Sequence, residues 1–164
     1  MRFLFPDPQA YLEHFPAFAE AFGGAAFEHG TAHVAGEFSG AAMWLPPGVH
    51  ADNERIGAVV AEALDPDIAG DAFSVLKGME DYHIEEPHWY LPMIGVDPAQ
   101  QGRGIGSALL RHALAKCDED HLPAYLESSR PENIPLYERH GFRVLGQVGG
   151  DSFPVITPML RPAR

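Results

Sequence analysis

The residues best able to do chemistry form a glycine-rich segment between a predicted strand and a predicted helix. The segment reads Val96-Asp97-Pro98-Ala99-Gln100-Gln101-Gly102-Arg103-Gly104-Ile105-Gly106-Ser107. Its three glycines permit positive φ angles and close approach of a ligand, and Arg103 adds a positive charge. Backbone N–H groups that converge beside a helix N-terminus bind phosphate. The segment therefore predicts a phosphate-binding turn, although a plain strand-to-helix turn can use the same glycines.

Two common phosphate motifs do not fit this segment. A Walker loop requires Gly-Lys followed by Ser or Thr, and this combination does not occur in the sequence. A dinucleotide-binding fingerprint requires G-x-G-x-x-G, but Ser107 stands where a third glycine would follow Gly102 and Gly104. The register that begins at Gly104 and Gly106 also fails, because Leu109 occupies its third position.

The segment does match Gln101-x-x-Gly104-x-Gly106, the Q/R-x-x-G-x-G/A pyrophosphate loop of the GNAT family of N-acetyltransferases. A second signature follows at the expected distance, where the run from Asn133 to Phe142 fits N-x-x-x-Y-x-x-x-G-F. Over about residues 89–148 the chain resembles this family. The run Met43-Trp44-Leu45-Pro46-Pro47-Gly48 is also similar, more weakly, to a subgroup of small bacterial and fungal members. The resemblance implies transfer of an acetyl group from acetyl-CoA to an amine.

The resemblance also implies which residues would hold acetyl-CoA. Strand 89–96 would splay from strand 124–127, with the thioester arm in the gap between them. Backbone groups of Ile94 and Val96 would bind the pantetheine and the acetyl carbonyl, and the Ile94 amide would stabilise the oxyanion. Asn133 would hydrogen-bond the pantetheine arm, and it can also serve as a helix-start residue. The amides that would cradle the pyrophosphate belong to Gln101, Gly102, Arg103, Gly104, Ile105, Gly106 and Ser107.

The implied reaction is direct attack of an amine on the thioester after the amine has lost its proton. Tyr137 would protonate the departing thiolate. A tyrosine at this position can alternatively do no more than pack against the core from its helix.

The general base has more than one candidate. Some relatives carry histidines on the central strand, where this chain has Tyr90 and Pro92. Glu127, at the end of the neighbouring strand, is the predicted base, and it can act through water. Glu85 or Glu86, just before the central strand, is the alternative, although a solvated charged turn explains these two residues better.

Aromatic residues predict how the acceptor amine is bound. His88 and Tyr90 alternate onto one face of a strand, and together with Trp44 they are the predicted lining of an acceptor pocket. The cluster of Trp44, Trp89 and Tyr90 favours a pocket for a small molecule over the open groove that a peptide requires. These aromatic residues can alternatively belong to the core.

Neither a metal site nor a catalytic thiol is predicted. His29 and His33 are four residues apart but lack the glutamate of H-E-x-x-H, and no other ligand set is apparent. Cys117, the single cysteine, lies on the apolar face of a predicted helix. Since one cysteine cannot form an internal disulfide, we expect a reducing, cytoplasmic setting.

Hydrophobic spacing predicts the elements that position these residues. The predicted helices cover 8–22, 53–64, 68–83, 105–117 and 132–140, and the predicted strands cover 31–38, 40–45, 89–96, 124–127, 142–147 and 153–160. The order β-α-β-α-β-β from residue 89 onward predicts an α/β (α+β) fold. The resemblance implies a mixed, mostly antiparallel sheet flanked by helices. Because the sequence begins with Met1-Arg2-Phe3-Leu4-Phe5-Pro6, we expect the family's usual first strand to be missing.

Composition limits the size of the domain and its partners. The chain has 164 residues, 46% of them apolar and 21% charged, as is typical of a globular domain. We expect one domain over 1–164, with an acceptor-side part at 1–88 and an acetyl-CoA-binding core at 89–148. The 11 Lys and Arg residues against 23 Asp and Glu give a net charge of −12, which disfavours nucleic acid and anionic membranes. The expected partners are a small-molecule amine and, as an oligomer, a second copy in a homodimer.

Two other functions fit the same residues. One is a protein or peptide N-acetyltransferase, which would need an open groove beside the acetyl group. The other is a non-catalytic or regulatory module that binds acetyl-CoA without turnover and is indifferent to Tyr137→Phe.

Overall fold

The predicted helices and strands occur in the predicted order, and the structure adds a short helix at Ala25–Glu28 and a short strand at Val148–Gly150. The computed structural model describes residues 7–63, 69–82, 84–150 and 153–164. Its helices are α1 (Pro8–Gly23), α2 (Ala25–Glu28), α3 (Asn53–Ala63), α4 (Ala69–Glu80), α5 (Ile105–Glu119) and α6 (Ile134–Arg139). Its strands are β1 (Ala32–Ala35), β2 (Gly40–Leu45), β3 (Trp89–Val96), β4 (Ala124–Ser128), β5 (Arg143–Val144), β6 (Val148–Gly150) and β7 (Phe153–Arg161).

The described strands form a mixed, mostly antiparallel sheet, which confirms the predicted fold class. The strand order is β1-β2-β3-β4-β7-β5, and β6 pairs with β7 beside this path. Only β3 and β4 run parallel to each other among the described pairs. The predicted helix ends at Leu64, Ile68 and His83 lie outside the described residues. So do residues 1–6, on which the expectation of a missing first strand rests.

Two predicted strands are longer than the structure shows. The first ends at Ala35 because Glu37 and Phe38 adopt positive φ angles of 49° and 68°, which turns the chain into β2. The strand predicted at 142–147 is reduced to β5. Residues 145–147 form no strand, and a Cβ atom on Gly146 would lie 2.1 Å from the Tyr82 hydroxyl oxygen.

The main core lies between the sheet and α5. Apolar residues recur along α5 at helical spacing, as predicted, and its buried members are Leu109, Leu110, Ala113, Leu114 and Cys117. They pack with Trp44, Trp89 and Leu126 of the strands. Burial raises the pKa of the Cys117 thiol to about 12, so this cysteine is a protonated core residue. None of the described helices is long and apolar enough to span a membrane.

The opposite face of the sheet is covered by α1, which packs on α3. Helix α1 begins at Pro8 because Oδ1 of Asp7 accepts hydrogen bonds from the amides of Gln9 and Ala10, at 2.9 and 2.8 Å. Phe18 near its other end is buried against Val59 of α3. This packing fixes the last turn of α1 over the central strands.

The close contact of β2 with α5 gives a paired stability test. A Cβ atom on Gly40 would lie 2.7 Å from Cγ2 of Ile105 and 3.2 Å from the Gly95 carbonyl oxygen. Gly40→Ala should therefore lower the free energy of unfolding by about 1–3 kcal/mol through overpacking. Gly57→Ala, in α3 with nothing within 4 Å of its Cβ position, should raise it by about 0.5–1 kcal/mol. Urea unfolding measures both, and equal effects of the two variants would contradict the packing of α5 on β2.

Candidate functional site

A gap opens between β3 and β4, as the family resemblance implied. The two strands pair for three residues only, at Trp89–Ala124, Tyr90–Tyr125 and Leu91–Leu126. Beyond these pairs β3 continues beside β2 as far as Val96, and β4 continues beside β7 to Ser128. The facing edges of β3 and β4 are therefore not paired with each other in this stretch.

A bulge in β3 accompanies the gap. Met43 pairs with Met93, whereas Leu45 pairs with Tyr90, so two steps along β2 correspond to three steps along β3. The extra residue of β3 lies between Tyr90 and Met93. Because a bulge bends and twists its strand, it helps β3 to turn away from β4.

Backbone polar groups of β3 face the gap. The Asp97 amide donates to the Ser39 carbonyl at 2.8 Å, which makes these two residues a hydrogen-bonded pair. Since such pairs alternate along an antiparallel ladder, the N–H and C=O groups of Ile94 and Val96 point away from β2. Nε2 of Gln101 accordingly donates to the Val96 carbonyl at 3.2 Å. These are the two residues predicted to bind the pantetheine and the acetyl carbonyl.

The glycine-rich loop leads directly into α5. Gly102 and Gly104 have φ angles of 76° and 82°, and nothing lies within 4 Å of a Cβ atom built on either. The amide of Ala108 makes a helical bond to Gly104 at 2.9 Å. The preceding amides of the first turn have no helical partner and point outward. This arrangement fits a pyrophosphate group, because it offers donors at a positive helix end and open space above them.

Side chains of the loop make specific contacts. The Ser107 hydroxyl lies 2.7 Å from Nε2 of His140 and accepts from Nη1 of Arg111 at 2.9 Å. Arg103 donates to the side chain of Gln100. Ser107 and Arg103 were predicted from the sequence, but His140 was not. His140 follows α6, 33 positions after Ser107, and no motif in the sequence links the two residues.

A carboxylate lies next to the last pair of β3 and β4. Tyr90 donates its hydroxyl to Oε2 of Glu127 at 2.6 Å, and Tyr125 donates to Oε1 at 3.1 Å. Burial, reinforced by Glu127, raises the pKa of Tyr90 well above its usual value. The same causes raise the pKa of Tyr125. Both phenols therefore remain protonated donors to the Glu127 carboxylate.

Further rings surround these tyrosines. Phe22 of α1 meets Tyr90 edge-on at 6.2 Å between centroids, and His88 meets Tyr125 edge-on at 5.9 Å. His88 and Tyr90 were predicted, whereas Phe22 and Tyr125 were missed. The signal for Tyr125 was available, because residues two apart on a strand share a face and Tyr125 stands two before Glu127.

Trp44 is not brought together with Tyr90. Trp44 is fully buried in the core beneath α5, and Trp89 is almost fully buried in the same core. Tyr90 alternates with Trp89 and thus points to the other face of the sheet. The predicted three-aromatic pocket is therefore not formed, and the alternative that the tryptophans belong to the core describes their positions.

Tyr137 and Asn133 lie on the α6 side of the sheet. Tyr137 is 5% exposed and packs with the α5 core and Phe142. Burial raises the pKa of Tyr137 to about 12, so its phenol is protonated at neutral pH. Asn133 begins α6 without a side-chain capping bond. Glu85 and Glu86, the alternative bases, are both exposed.

The fold and the site define the class of protein. A sequence model described as the Acetyltransferase (GNAT) family matches residues 9–142. The chain belongs to this family, whose cosubstrate is acetyl-CoA.

Known proteins agree with this assignment. The chain is 31% identical to an uncharacterized N-acetyltransferase of Schizosaccharomyces pombe over 125 residues, 65% of this chain and 48% of that one. It is 35% identical to a mycothiol acetyltransferase of Clavibacter sepedonicus over 91 residues, 51% of this chain and 30% of that one. The chain thus spans half or less of these curated relatives. A crystal structure of a histone acetyltransferase HPA2 and related acetyltransferase from Corynebacterium glutamicum shares the fold, with a TM-score of 0.56, 20% identity and coverage of 96% and 93%.

The loop geometry generates a second test. Gly104→Ala places a side chain at a φ of 82°, which costs about 1–2 kcal/mol and displaces the amides at the start of α5. We expect roughly tenfold weaker binding of acetyl-CoA, measured by titration calorimetry. Gly48→Ala is the control, because Gly48 has a φ of 80° and equally open space but lies in the turn after β2. Equal affinities of the two variants would contradict the assignment of the loop.

Proposed function

We propose that this domain transfers the acetyl group of acetyl-CoA to the primary amine of a small cationic molecule by direct attack. The observation that carries the proposal is the position of Glu127. Two tyrosine hydroxyls hold this carboxylate at the point where β3 and β4 separate. A fixed negative charge at the opening of the gap suits an ammonium group that must lose a proton beside the thioester.

The gap and the loop fit acetyl-CoA. When bound, acetyl-CoA supplies the activated acetyl group of its thioester. Backbone groups of Ile94 and Val96 would hold the pantetheine arm and the acetyl carbonyl, and the loop amides would hold the pyrophosphate. The side chain of Asn133 makes no capping hydrogen bond to α6, and it would donate or accept a hydrogen bond with the pantetheine arm. The Ile94 amide would stabilise charge that develops on the carbonyl oxygen.

Glu127 acts as the base in this proposal. The ammonium group of the acceptor is attracted to the carboxylate and stabilised by the faces of the surrounding aromatic rings. Glu127 accepts a proton from it, and the neutral nitrogen then forms a bond to the acetyl carbon. The nitrogen becomes positively charged when this bond forms, and it releases its second proton to water as the carbon–sulfur bond breaks. The protonated phenols of Tyr90 and Tyr125 keep the carboxylate oriented.

Tyr137 acts as the acid from the other side of the sheet. It packs in the α5 core, whereas Glu127 shares the opposite face with Tyr90 and Tyr125. The gap separates the two groups, so the amine arrives on one face and the sulfur departs towards the other. As the carbon–sulfur bond breaks, Tyr137 donates its phenolic proton to the sulfur.

Helix α1 covers the face of the sheet that carries Glu127, and this favours a small acceptor. Phe22 lies against Tyr90, and α1 packs on β3, so the acceptor must enter beside an element that already covers this face. The net charge of −12 favours the approach of cations. Both features support a small amine in preference to a peptide that needs an open groove.

Tyr137→Phe tests the acid. Loss of the phenolic proton should lower kcat by about 10²–10⁴-fold, while the dissociation constant of acetyl-CoA stays nearly unchanged. Steady-state kinetics and titration calorimetry measure the two quantities. Tyr82→Phe, in the turn after α4, is the matched control. Unchanged kcat in Tyr137→Phe would remove Tyr137 from the acid role and favour a module that only binds acetyl-CoA.

Glu127→Gln tests the base. Removal of the carboxylate should lower kcat/KM for the amine by about 10²–10⁴-fold at neutral pH. The variant should regain activity as the pH approaches the pKa of the free amine, because the acceptor then loses its proton to solvent. Glu85→Gln and Glu86→Gln are controls and should remain active. Loss of activity in either control, with full activity in Glu127→Gln, would reverse the assignment.

A further inference from the structure

The face of the sheet that carries Glu127 is only partly covered by α1. The last turn of α1 packs on this face, because a Cβ atom on Gly23 would lie 2.7 Å from Sδ of Met43. Two residues before Met43 on β2, Ala41 is exposed. Gly95 of β3 is exposed as well, and nothing lies within 4 Å of a Cβ atom built on it. The sheet is therefore open beside the last turn of α1.

Strand register places the open residues together on this face. Val34 pairs with Ala41, and Ala41 pairs with Gly95, whereas Met43 pairs with Met93. The intervening residues of these strands contact α5 or its core, so the five paired residues share the opposite face. Val34 is 58% exposed, and Met93 is half-buried. We call Val34, Ala41, Met93 and Gly95 the apolar patch.

The apolar patch begins across the gap from Glu127. Leu91 and Leu126 form the last pair of β3 with β4. Glu127 comes one residue after this pair on β4, and Met93 comes two residues after it on β3, beyond the bulge. From Met93 the patch continues along β3 to Gly95, away from the paired end of the two strands. An amine bound at Glu127 can therefore lay the rest of its molecule on the patch.

The apolar patch offers no partner for a second charge. Outside the bulge, Glu127 is the one charged residue among those of β1–β4 that share this face. The next carboxylates, Glu37 and Asp97, belong to the turns that follow β1 and β3. Asp97 follows Met93 by four residues, which is about 13 Å of extended strand. Its Oδ1 already accepts from the amide of Ala99 at 2.8 Å.

The chemistry of the patch favours one class of amine. A second ammonium or a carboxylate group placed on it would lose hydration without gaining an opposite charge or a hydrogen bond. A methylene chain or an aromatic ring would instead be stabilised, because apolar surface of both partners leaves water. The single carboxylate at one end and the apolar surface beyond it thus match an amine with one charged end and an apolar remainder.

We propose that the acceptor is a monoamine with an apolar substituent, which binds with its ammonium group at Glu127 and its substituent on the apolar patch. The inference rests on the proposed function, because it takes Glu127 as the group that receives the amine. Alkylamines and arylalkylamines have the required form. Short diamines and amino acids carry a second charge and are selected against.

The test compares pentan-1-amine with butane-1,4-diamine, in which an ammonium group replaces the terminal methyl group. Steady-state kinetics with acetyl-CoA give kcat/KM for each amine, corrected for the two equivalent amino groups of the diamine. On the wild-type chain we expect kcat/KM to be at least about tenfold higher for pentan-1-amine.

Gly95→Asp adds a carboxylate to the apolar patch in space that is open. It should lower the ratio of the two kcat/KM values several-fold, because the second ammonium group then has a partner. Gly57→Asp is the matched control. It makes the same substitution in α3, again with nothing within 4 Å of the Cβ position, and it should keep the wild-type ratio.

Val34→Ser tests the patch without adding charge. It should lower kcat/KM for pentan-1-amine several-fold and leave kcat/KM for methylamine nearly unchanged, because methylamine is too short to reach Val34. Val144→Ser is the control, since Val144 is also partly exposed but lies on β5, at the other edge of the sheet. It should change neither value.

Equal or higher kcat/KM for the diamine on the wild-type chain would overturn this inference and leave the proposed function standing. A higher kcat/KM for the terminal amine of trialanine than for pentan-1-amine would also overturn it. So would an equal change of the ratio in Gly95→Asp and Gly57→Asp, since the net charge and not the patch would then set the preference. Failure of the wild-type chain to acetylate any of these amines would overturn the proposed function, and this inference with it.

Discussion

The separation of β3 from β4 after three residue pairs is the constraint on which the rest of the structure depends. In a closed sheet, the backbone groups of Ile94 and Val96 would bond to β4 and be unavailable to a ligand. The extra residue of β3 turns that strand away, while pairing with β2 and β7 keeps each neighbour in place. The unpaired edges remain polar, so they suit an extended ligand with amide groups of its own.

The gap also lies between the proposed base and the proposed acid, which belong to two faces of one sheet. Glu127 stands on the face that α1 covers, and Tyr137 belongs to the core that α5 covers. Burial acts on the two sides in the same direction, because it raises the pKa of the tyrosines and keeps them as proton donors. A carboxylate held by phenols and a separate buried phenol are thus suited to the two proton transfers that we propose, one from the amine and one to the sulfur.

Local patterns in the sequence predicted much of this arrangement. The helical spacing of α5 and the bounds of β3 were correct, since both depend on residues close together in the chain. Which side chains of different strands share a face of the sheet was harder to predict. Periodicity places Trp89 and Tyr90 on opposite faces, but only the pairing with β2 shows that Trp44 joins Trp89. The contact of Ser107 with His140 could not be predicted from the sequence, because it joins two residues that are 33 positions apart.

Hydrogen–deuterium exchange of the backbone amides with and without saturating acetyl-CoA tests the central claim most directly, with NAD as a control ligand. If acetyl-CoA lies in the gap, exchange slows at Ile94, at Val96 and through the loop from Gln101 to Ser107, and NAD has no such effect. Slowed exchange confined to other segments, or produced equally by NAD, would contradict the account of the gap as the acetyl-CoA site.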